Sequence, residues 1–321
     1  MGLLQQQIGN FLRYLEVEVN ASPHTLRAYK NDLEGFAAFL QDIPPQQIDI
    51  YDIRGYIAYQ SQKGLDKNTI ARRIATIRAF FKYMYDTGVI EINPARLANA
   101  PKTTRPLPKF FTVAEVFELI EQVNDLDFRG IRDRAILELL YSSGLRVGEL
   151  ASANVNDIDI VGRRIKVWGK GKKQRFVPMG SYAINALKAY IKQRPAMLNK
   201  ADSGQSEAFF LNRKGGRLTT RSIYRVVVKY ARVIGKDGNV GPHTMRHSFA
   251  THMLQRGAGL MTILELMGHT SLSATQKYTH LDIEHLIDVY GNSHPLAKGR
   301  GELPVSALTG EVPDKLVGQE Y

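Results

Sequence analysis

Apolar residues recur at helical spacing through the first hundred residues of the chain. The first repeat has a single apolar face, formed by Ile8, Phe11, Leu12 and Leu15. Ser22 and Pro23 supply an N-cap and a first-turn proline for the next helix. Helices are predicted at about residues 3–19, 23–40, 50–62 and 68–85. The pattern therefore indicates a compact four-helix module over residues 1–92.

The rest of the chain mixes helical and strand patterns. Several prolines between residues 93 and 109 favour an extended linker. Thr112, with Glu115 three residues later, predicts the start of a helix. Short strands are expected at about residues 157–160, 164–168 and 174–178. We therefore expect a second domain over residues 110–298, a flexible acidic tail over 299–321, and a fold that is mainly α with a small β-sheet (α+β).

Charge is distributed unevenly along the chain. The net charge is +12, and residues 105–300 hold 30 basic and 17 acidic side chains, a local excess of +13. Such an excess indicates a polyanionic partner, although a solvated basic face gives the same count. The chain has no cysteine, which excludes disulfides and thiolate sites and suits a reducing cytoplasm. We expect no membrane insertion, because no apolar run is long enough to span a bilayer.

His243 and Arg246 have the residue types of an anion-binding helix terminus. A Gly-Pro pair precedes them, which predicts that both lie in the first turn of a helix, on one face. Free backbone N–H groups favour a phosphate there, and an arginine adds a planar fork that matches two phosphate oxygens. A capping histidine and a surface arginine are the alternative. A metal site that includes His247 and His252 is disfavoured, because a general-base glutamate is missing and Arg246 would repel a cation.

Four further residues complete a set suited to attack on a phosphodiester. Arg146 lies between two predicted helices, and Lys170 lies in a Gly-Lys-Gly turn, where its ammonium can protonate a leaving oxygen. His269 follows a helix that ends on Gly268, and Tyr278 closes the next short helix. A phenol needs cationic neighbours to act as a nucleophile. Taken singly, Arg146 also suits a structural ion pair, and Tyr278 suits a packing role.

Basic residues without acidic neighbours extend from residue 213 to residue 236. This segment holds eight basic and no acidic side chains. Most are spaced as one helix face requires: Arg217, Arg221, Arg225, Lys229 and Arg232. Segregated charge of this kind indicates contact with a nucleic-acid backbone. Further candidate DNA contacts are Arg27, Lys30, Arg72, Arg73 and Arg78 in the helical module, and Lys172 and Lys173 beside Lys170.

The order of these motifs resembles the tyrosine recombinase (phage integrase) family. Five separated segments carry the resemblance: Arg146 in Gly-Leu-Arg-Val-Gly-Glu-Leu, Lys170 in a hairpin turn, His243-x-x-Arg246, Gly268-His269 and Tyr278. Residues 278–298 resemble the Xer site-specific recombinases, and the XerC type more than the XerD type. The resemblance implies a SAM-like core-binding domain and a catalytic domain that form a clamp around DNA.

The same resemblance implies a mechanism for cutting and rejoining DNA. Tyr278 would attack the scissile phosphate and form a 3′-phosphotyrosyl intermediate. The other implied roles are oxygen binding by Arg146 and Arg246, a phosphate hydrogen bond from His269, protonation of the leaving 5′ oxygen by Lys170, and proton transfer assisted by His243. No metal, ATP or other cofactor is implied, because the phosphotyrosyl link conserves the bond energy.

The implied partners are duplex DNA with a dif-like site and a tetramer of recombinases, either identical or mixed with a XerD-like paralogue. A DNA translocase of the FtsK type, a cytoplasmic, nucleoid-associated location and the resolution of chromosome dimers also follow from the resemblance. The segment after Tyr278, with Leu286, Ile287 and Val289, is expected to dock on a neighbouring protomer. An integrase of a phage or mobile element, a DNA-binding protein without catalysis and a type IB topoisomerase are alternatives.

Overall fold

The computed structural model describes residues 2–41, 43–99, 101, 110–169, 174–198, 207–238, 240–268 and 280–297. The chain divides into two compact units, Met1–Pro106 and Leu107–Tyr321, which we call the helical unit and the mixed unit. No helix within the described ranges is long and apolar enough to cross a membrane.

The helical unit contains the helices that the sequence predicts. Their bounds are α1 (Leu3–Val17), α2 (Pro23–Leu40), α3 (Ile50–Gln62) and α4 (Lys67–Asp86). Phe11, Phe36 and Phe80 are buried at the centre of the unit. Ser22 caps α2, since its hydroxyl accepts a hydrogen bond from the backbone N–H of Thr25 at 3.1 Å. Burial of one apolar face per helix holds the unit together.

The predicted linker over residues 93–109 begins inside the helical unit. Pro94–Leu97 forms a 3₁₀ turn that Asn93 caps. Ala95 and Ala98 are buried in the core of the helical unit. Small apolar residues therefore extend the core past α4, and the predicted domain bounds stay a prediction. Residues 102–109 lie outside the described part of the chain.

The mixed unit is built around one buried helix. Its helices are α5 (Val113–Glu121), α6 (Phe128–Ser143), α7 (Val147–Ser152), α8 (Ser181–Leu198), α9 (Thr220–Val233), α10 (Pro242–Gln255), α11 (Leu260–Leu266) and α12 (His280–Ser293). Leu137, Leu140 and Tyr141 of α6 are fully buried, and α6 packs against α8 and α10. Thr112 and Glu115 form the predicted capping box of α5.

A small antiparallel sheet lies in the mixed unit. Its strands are β1 (Ile158–Asp159), β2 (Arg164–Trp168) and β3 (Gln174–Pro178), in the order β1-β2-β3. Ile165 lies opposite Val177, and both are buried. The predicted fold class, mainly α with a small β-sheet, is confirmed.

The helix α12 packs on its own chain. Leu286 and Tyr290 are buried in a cluster with Phe249, and Val289 packs against the same cluster. The hydroxyl of Tyr290 forms a hydrogen bond of 2.7 Å with Ser142 of α6. Leu286 and Val289 thus pack against the mixed unit of their own chain, and their expected docking on a neighbouring protomer stays a prediction. The side chain of Ile287 lies outside the described residues.

Candidate active site

Arg146 is placed by the end of one helix and the start of the next. Gly144 follows the last residue of α6 with a φ of +57°, and a Cβ there would lie 2.4 Å from the ring of Phe249. Both the backbone and the packing therefore require glycine. Arg146 follows as the N-cap of α7. Its Nη1 donates to Glu149 Oε1 at 3.0 Å, and its Nη2 donates to the Gly268 carbonyl at 3.0 Å.

Glu149 is a buried carboxylate at the centre of this cluster. Its Oε1 accepts from Arg146 Nη1 at 3.0 Å and from Arg175 Nη1 at 2.8 Å. Its Oε2 accepts from the Arg146 backbone N–H at 2.8 Å and from Arg175 Nη2 at 3.0 Å. Burial acts to raise the pKa of Glu149, but hydrogen bonds and attraction from Arg175, with bonds from Arg146, hold that pKa below its ordinary value. Glu149 is therefore ionised at neutral pH.

Arg246 lies on α10, which begins at Pro242 as the Gly-Pro pair predicts. The residue falls in the second turn and not in the expected first turn, because it is the fifth residue of the helix. Its side chain is 5% exposed. Its Nη1 donates to the Gly144 carbonyl and its Nη2 to the Met267 carbonyl, both at 2.6 Å. Burial, with repulsion from Arg146, lowers the pKa of Arg246 to about 10, so the group stays charged at neutral pH.

The C-terminal end of α11 brings three arginines together. Three consecutive carbonyls each accept from a different guanidinium: Leu266 from Arg175 at 3.1 Å, Met267 from Arg246 at 2.6 Å, and Gly268 from Arg146 at 3.0 Å. Carbonyls at a helix C-terminus lack intrahelical partners and carry partial negative charge, so they bind cations well. Arg146 and Arg246, which are distant in the sequence, are thus held on adjacent carbonyls.

Arg175 is a member of the cluster that sequence reasoning missed. It lies on β3, on the same face as the buried Val177, and its side chain is 17% exposed. Alternating residues of a strand share a face, so a charged residue beside Val177 at a core-facing position was a usable signal. A buried arginine needs a carboxylate partner, and Glu149 is that partner.

The histidines of α10 occupy separate environments. His243 is exposed and His247 is partly buried beside Phe110. His252 is buried, and its Nδ1 lies 2.8 Å from the hydroxyl of Tyr141. Burial lowers the pKa of His252 to about 4. Within the described ranges, no three histidine or carboxylate side chains lie close enough together to hold a metal ion.

Several predicted site residues lie outside the described part of the chain: Lys170, Lys172, Lys173, His269 and Tyr278. The elements that flank these residues in the chain are described. The strands β2 and β3 flank the segment with the three lysines, and α11 ends at Leu266, shortly before Gly268 and His269. The roles predicted for these five residues stay predictions.

The basic stripe is shorter on the helix than the sequence predicts. Arg217 precedes α9, and its guanidinium donates to the carbonyls of Ala151 and Ala153, both at 3.1 Å, and to Asn154 Oδ1 at 2.6 Å. Arg217 therefore bonds the segment before α9 to the residues at the end of α7. Exposed basic residues of α9 itself form the remainder of the stripe: Arg221, Arg225, Lys229 and Arg232. Arg232 pairs with Asp237 at 3.6 Å, whereas Arg221 and Arg225 have no described acidic partner.

The candidate DNA contacts of the helical unit fall into two groups. Arg72 and Arg73 of α4 both bind the buried Asp32 of α2, so their guanidiniums already have an anionic partner. Three other candidates are exposed: Arg27, Lys30 and Arg78. Of these, Lys30 lies 3.7 Å from Glu34. The exposed residues therefore stay candidates for phosphate contact, while Arg73, the more enclosed of the first pair, is foremost a structural residue.

Comparison with known proteins identifies the family. The models of the phage integrase family and of the phage integrase N-terminal SAM-like domain match residues 109–285 and 8–88. Tyrosine recombinase XerC of Thermodesulfovibrio yellowstonii is 48% identical over 295 residues, covering 92% of this chain and 98% of that protein. Tyrosine recombinase XerC of Bacillus subtilis is 40% identical, covering 89% and 95%.

Structural similarity extends over the same length. The Tn1549 transposon integrase, solved in complex with circular intermediate DNA, has a TM-score of 0.69 at 19% identity. The match covers 89% of this chain and 99% of that chain, and it shows a shared fold. The sequence matches show more, since they extend through both units at high identity. The chain therefore belongs to the phage integrase family of tyrosine recombinases.

Proposed function

We propose that this protein is a site-specific tyrosine recombinase that resolves chromosome dimers at a dif-like DNA site. The observation that carries the proposal is the convergence of Arg146 and Arg246 on the adjacent carbonyls of Gly268 and Met267. Each guanidinium has five N–H groups, and the described contacts use two of them. The others are available to a phosphate, so the pair suits a phosphodiester with two non-bridging oxygens.

The local charge supports phosphoryl transfer as the reaction. Three arginines face one ionised carboxylate, Glu149, which gives these four side chains a net charge of +2. Negative charge builds up on the phosphate oxygens as a nucleophile attacks, and preorganised cations stabilise it. Because Arg246 is buried, water screens its charge little. The site therefore has the electrostatic character that the proposed transition state needs.

The remaining steps fall to residues near the ends of the described elements. In the proposal, Tyr278 attacks the phosphate, His243 assists its deprotonation, and His269 donates a hydrogen bond to the phosphate. Lys170 protonates the leaving 5′ oxygen. Attack by a different 5′-hydroxyl on the phosphotyrosyl bond rejoins the DNA, so the proposed reaction uses neither ATP nor metal.

The basic face of α9 supports duplex DNA as the substrate. Arg221 and Arg225 are one helical turn apart and exposed, so both can contact one phosphate backbone. The XerC name of the relatives supports dimer resolution and, with it, a tetramer that includes a XerD-like paralogue. Activation by a translocase of the FtsK type and a cytoplasmic location on the nucleoid are parts of the same proposal.

A nicked suicide substrate that carries a candidate dif-like site tests the proposal. The nick releases a short strand after cleavage and so traps the covalent intermediate. We expect a DNA adduct with the wild-type protein, loss of the adduct in Tyr278→Phe, and an unchanged yield in Tyr85→Phe, since Tyr85 is an exposed tyrosine of the helical unit. An adduct that survives Tyr278→Phe contradicts the assigned nucleophile, and the absence of any wild-type adduct contradicts the proposed function.

A further inference from the structure

Arg175 connects three parts of the mixed unit. It is the second residue of β3, the strand that follows the segment with Lys170, and it lies opposite Val167 of β2. Its Nη1 and Nη2 bind both oxygens of Glu149, at 2.8 Å and 3.0 Å. Its Nε donates to the Leu266 carbonyl at 3.1 Å. One guanidinium thus joins the sheet, the start of α7 and the end of α11.

The fit around Arg175 is close. Gly268 has a φ of +65°, and a Cβ at this position would lie 2.7 Å from Arg175 Nη1 and 2.8 Å from its Cζ. The backbone of residue 268 therefore lies directly against the guanidinium. The same backbone accepts the hydrogen bond from Arg146 Nη2. A small displacement of Arg175 would move the carbonyl that orients Arg146.

An ordinary structural ion pair does not account for this arrangement. Glu149, the partner of Arg175, also accepts hydrogen bonds from the guanidinium and from the backbone N–H of Arg146. Without Arg175, the carboxylate of Glu149 would keep only Arg146 as a cationic partner. Its attraction would then act on the Arg146 guanidinium alone instead of being shared between two arginines. Arg175 thus donates to both oxygens of Glu149, and N–H groups of Arg146 remain for hydrogen bonds to a substrate.

We infer that Arg175 is a positioning residue for DNA cleavage: it fixes Glu149 and the end of α11, and through them the guanidinium of Arg146. This inference rests on the proposed function. Arginine is required because only its planar fork reaches both carboxylate oxygens while Nε reaches a third acceptor. A lysine keeps the charge but cannot form these three hydrogen bonds together.

The test compares Arg175→Lys with Arg164→Lys, a control on the neighbouring strand. Arg164 pairs with Asp159 at 3.0 Å and stacks on Phe176, away from the cluster. We expect single-turnover cleavage of the suicide substrate to slow by about 100-fold in Arg175→Lys, since loss of alignment has effects of this order. The DNA dissociation constant should stay within about 2-fold of wild type. Arg164→Lys should cleave at the wild-type rate.

A second substrate separates positioning from a folding defect. A methylphosphonate at the scissile position replaces one charged oxygen by a methyl group, so cleavage depends less on a well-aligned arginine pair. The defect of Arg175→Lys should shrink to a few-fold on this substrate. Equal defects on both substrates, or wild-type cleavage by Arg175→Lys, overturn the inference while leaving the proposed function in place.

A double substitution tests whether Arg175 acts through Glu149. We expect Arg175→Lys combined with Glu149→Gln to cleave no more slowly than Glu149→Gln alone, because residues that act as one unit are not additive. Multiplicative defects overturn the route through Glu149. A wild-type protein that forms no adduct overturns the proposed function and this inference together, and the suicide-substrate assay on the wild-type protein identifies that case.

Discussion

Each unit of the molecule encloses a carboxylate that two arginines hold. In the helical unit, Asp32 of α2 binds Arg72 and Arg73, which are neighbours on one helix. Arg72 keeps half of its side chain exposed. Thr76, one turn further along α4, donates a hydrogen bond to the same carboxylate at 3.1 Å. The cluster therefore joins α2 to α4, and Arg73 also donates to Gln60 of α3 at 2.6 Å.

In the mixed unit, the arginines on the carboxylate come from different elements. Arg146 and Arg175 bind Glu149 and then continue to the carbonyls of α11, beside Arg246. The three guanidiniums outnumber the carboxylate, and the described contacts of Arg146 and Arg246 use only two N–H groups of each. The comparison teaches that a buried arginine–carboxylate pair has no fixed meaning. A pair whose arginines come from one helix joins neighbouring helices. A pair accompanied by a further arginine, with the guanidiniums on helix-terminal carbonyls, is a candidate anion site.

Buried histidines widen the difference between the units. His252 and His294 are buried in the mixed unit, where His294 packs on Tyr290 and accepts a hydrogen bond from the Leu296 N–H at 3.1 Å. The histidine of the helical unit, His24, is exposed. Burial lowers the pKa of His252 to about 4 and the pKa of His294 to about 3. The mixed unit should therefore be the acid-sensitive one.

The largest expected effect is a loss of stability of the mixed unit in mild acid. An unfolded histidine has a pKa of about 6.5, so below this pH the unfolded state binds protons that the native state does not. The free energy of unfolding then falls as pH falls, by about 2 kcal/mol per buried histidine at pH 5. Above pH 7 the effect vanishes. Fluorescence of Trp168, the only tryptophan, should report a lower urea midpoint at pH 5 than at pH 7.

Two variants check the source of that pH dependence. His252→Gln should reduce the change in the Trp168 midpoint between pH 7 and pH 5 to about half, because the glutamine does not titrate whereas His294 still does. His24→Gln is the matched control and should leave the change as in wild type. If the two variants show the same pH dependence, buried His252 is not its cause.

The next effect separates the two carboxylates. Glu149→Gln should slow DNA cleavage by about 100-fold, because a neutral amide can no longer hold both guanidiniums in place. Asp32→Asn should leave the cleavage rate within a few-fold and instead destabilise the helical unit by about 2 kcal/mol. Suicide-substrate kinetics and urea unfolding followed by circular dichroism measure the two quantities. A cleavage defect in Asp32→Asn as large as that in Glu149→Gln would remove the distinction.

The smallest effect concerns arginines at the surface. Arg221→Ala or Arg225→Ala should weaken DNA binding about five-fold and reduce the salt slope of log K by about 0.9, one phosphate contact each. Arg217→Ala should change the slope less, because its guanidinium is bonded to Ala151, Ala153 and Asn154 of its own chain. Fluorescence anisotropy at several salt concentrations measures the slope. Equal slopes for all three variants and the wild type would contradict contact through α9.

Much of the fold was predictable because its signals are local. Ser22-Pro23, the Thr112–Glu115 capping box and the Gly-Pro pair before α10 all mark helix starts that the structure confirms. Predictions failed where burial depends on distant partners. Ala95 and Ala98 carry no helical signal, yet they complete the core of the helical unit. Arg217 has the correct spacing for the stripe but lies before α9, where its guanidinium donates to carbonyls at the end of α7.

The candidate site shows the same division. Arg146 and Arg246 were recognisable from sequence because each lies near a helix boundary with the residue types of an anion site, while the role of His243 stays a prediction. Arg175 was not recognisable, since its role depends on Glu149 and on the end of α11.

By itself, the sequence determined the helices, the small sheet, the basic excess of the second region and the family motifs. These depend on periodicity, capping and residue type, all of which are properties of neighbouring residues. Only the tertiary structure decided that Arg146, Arg175 and Arg246 meet on three consecutive carbonyls at the end of α11. The tertiary structure also decided that Asp32 forms ion pairs with Arg72 and Arg73. The physical reason is that a buried charge takes the partner that folding brings within reach, and sequence spacing does not contain that distance.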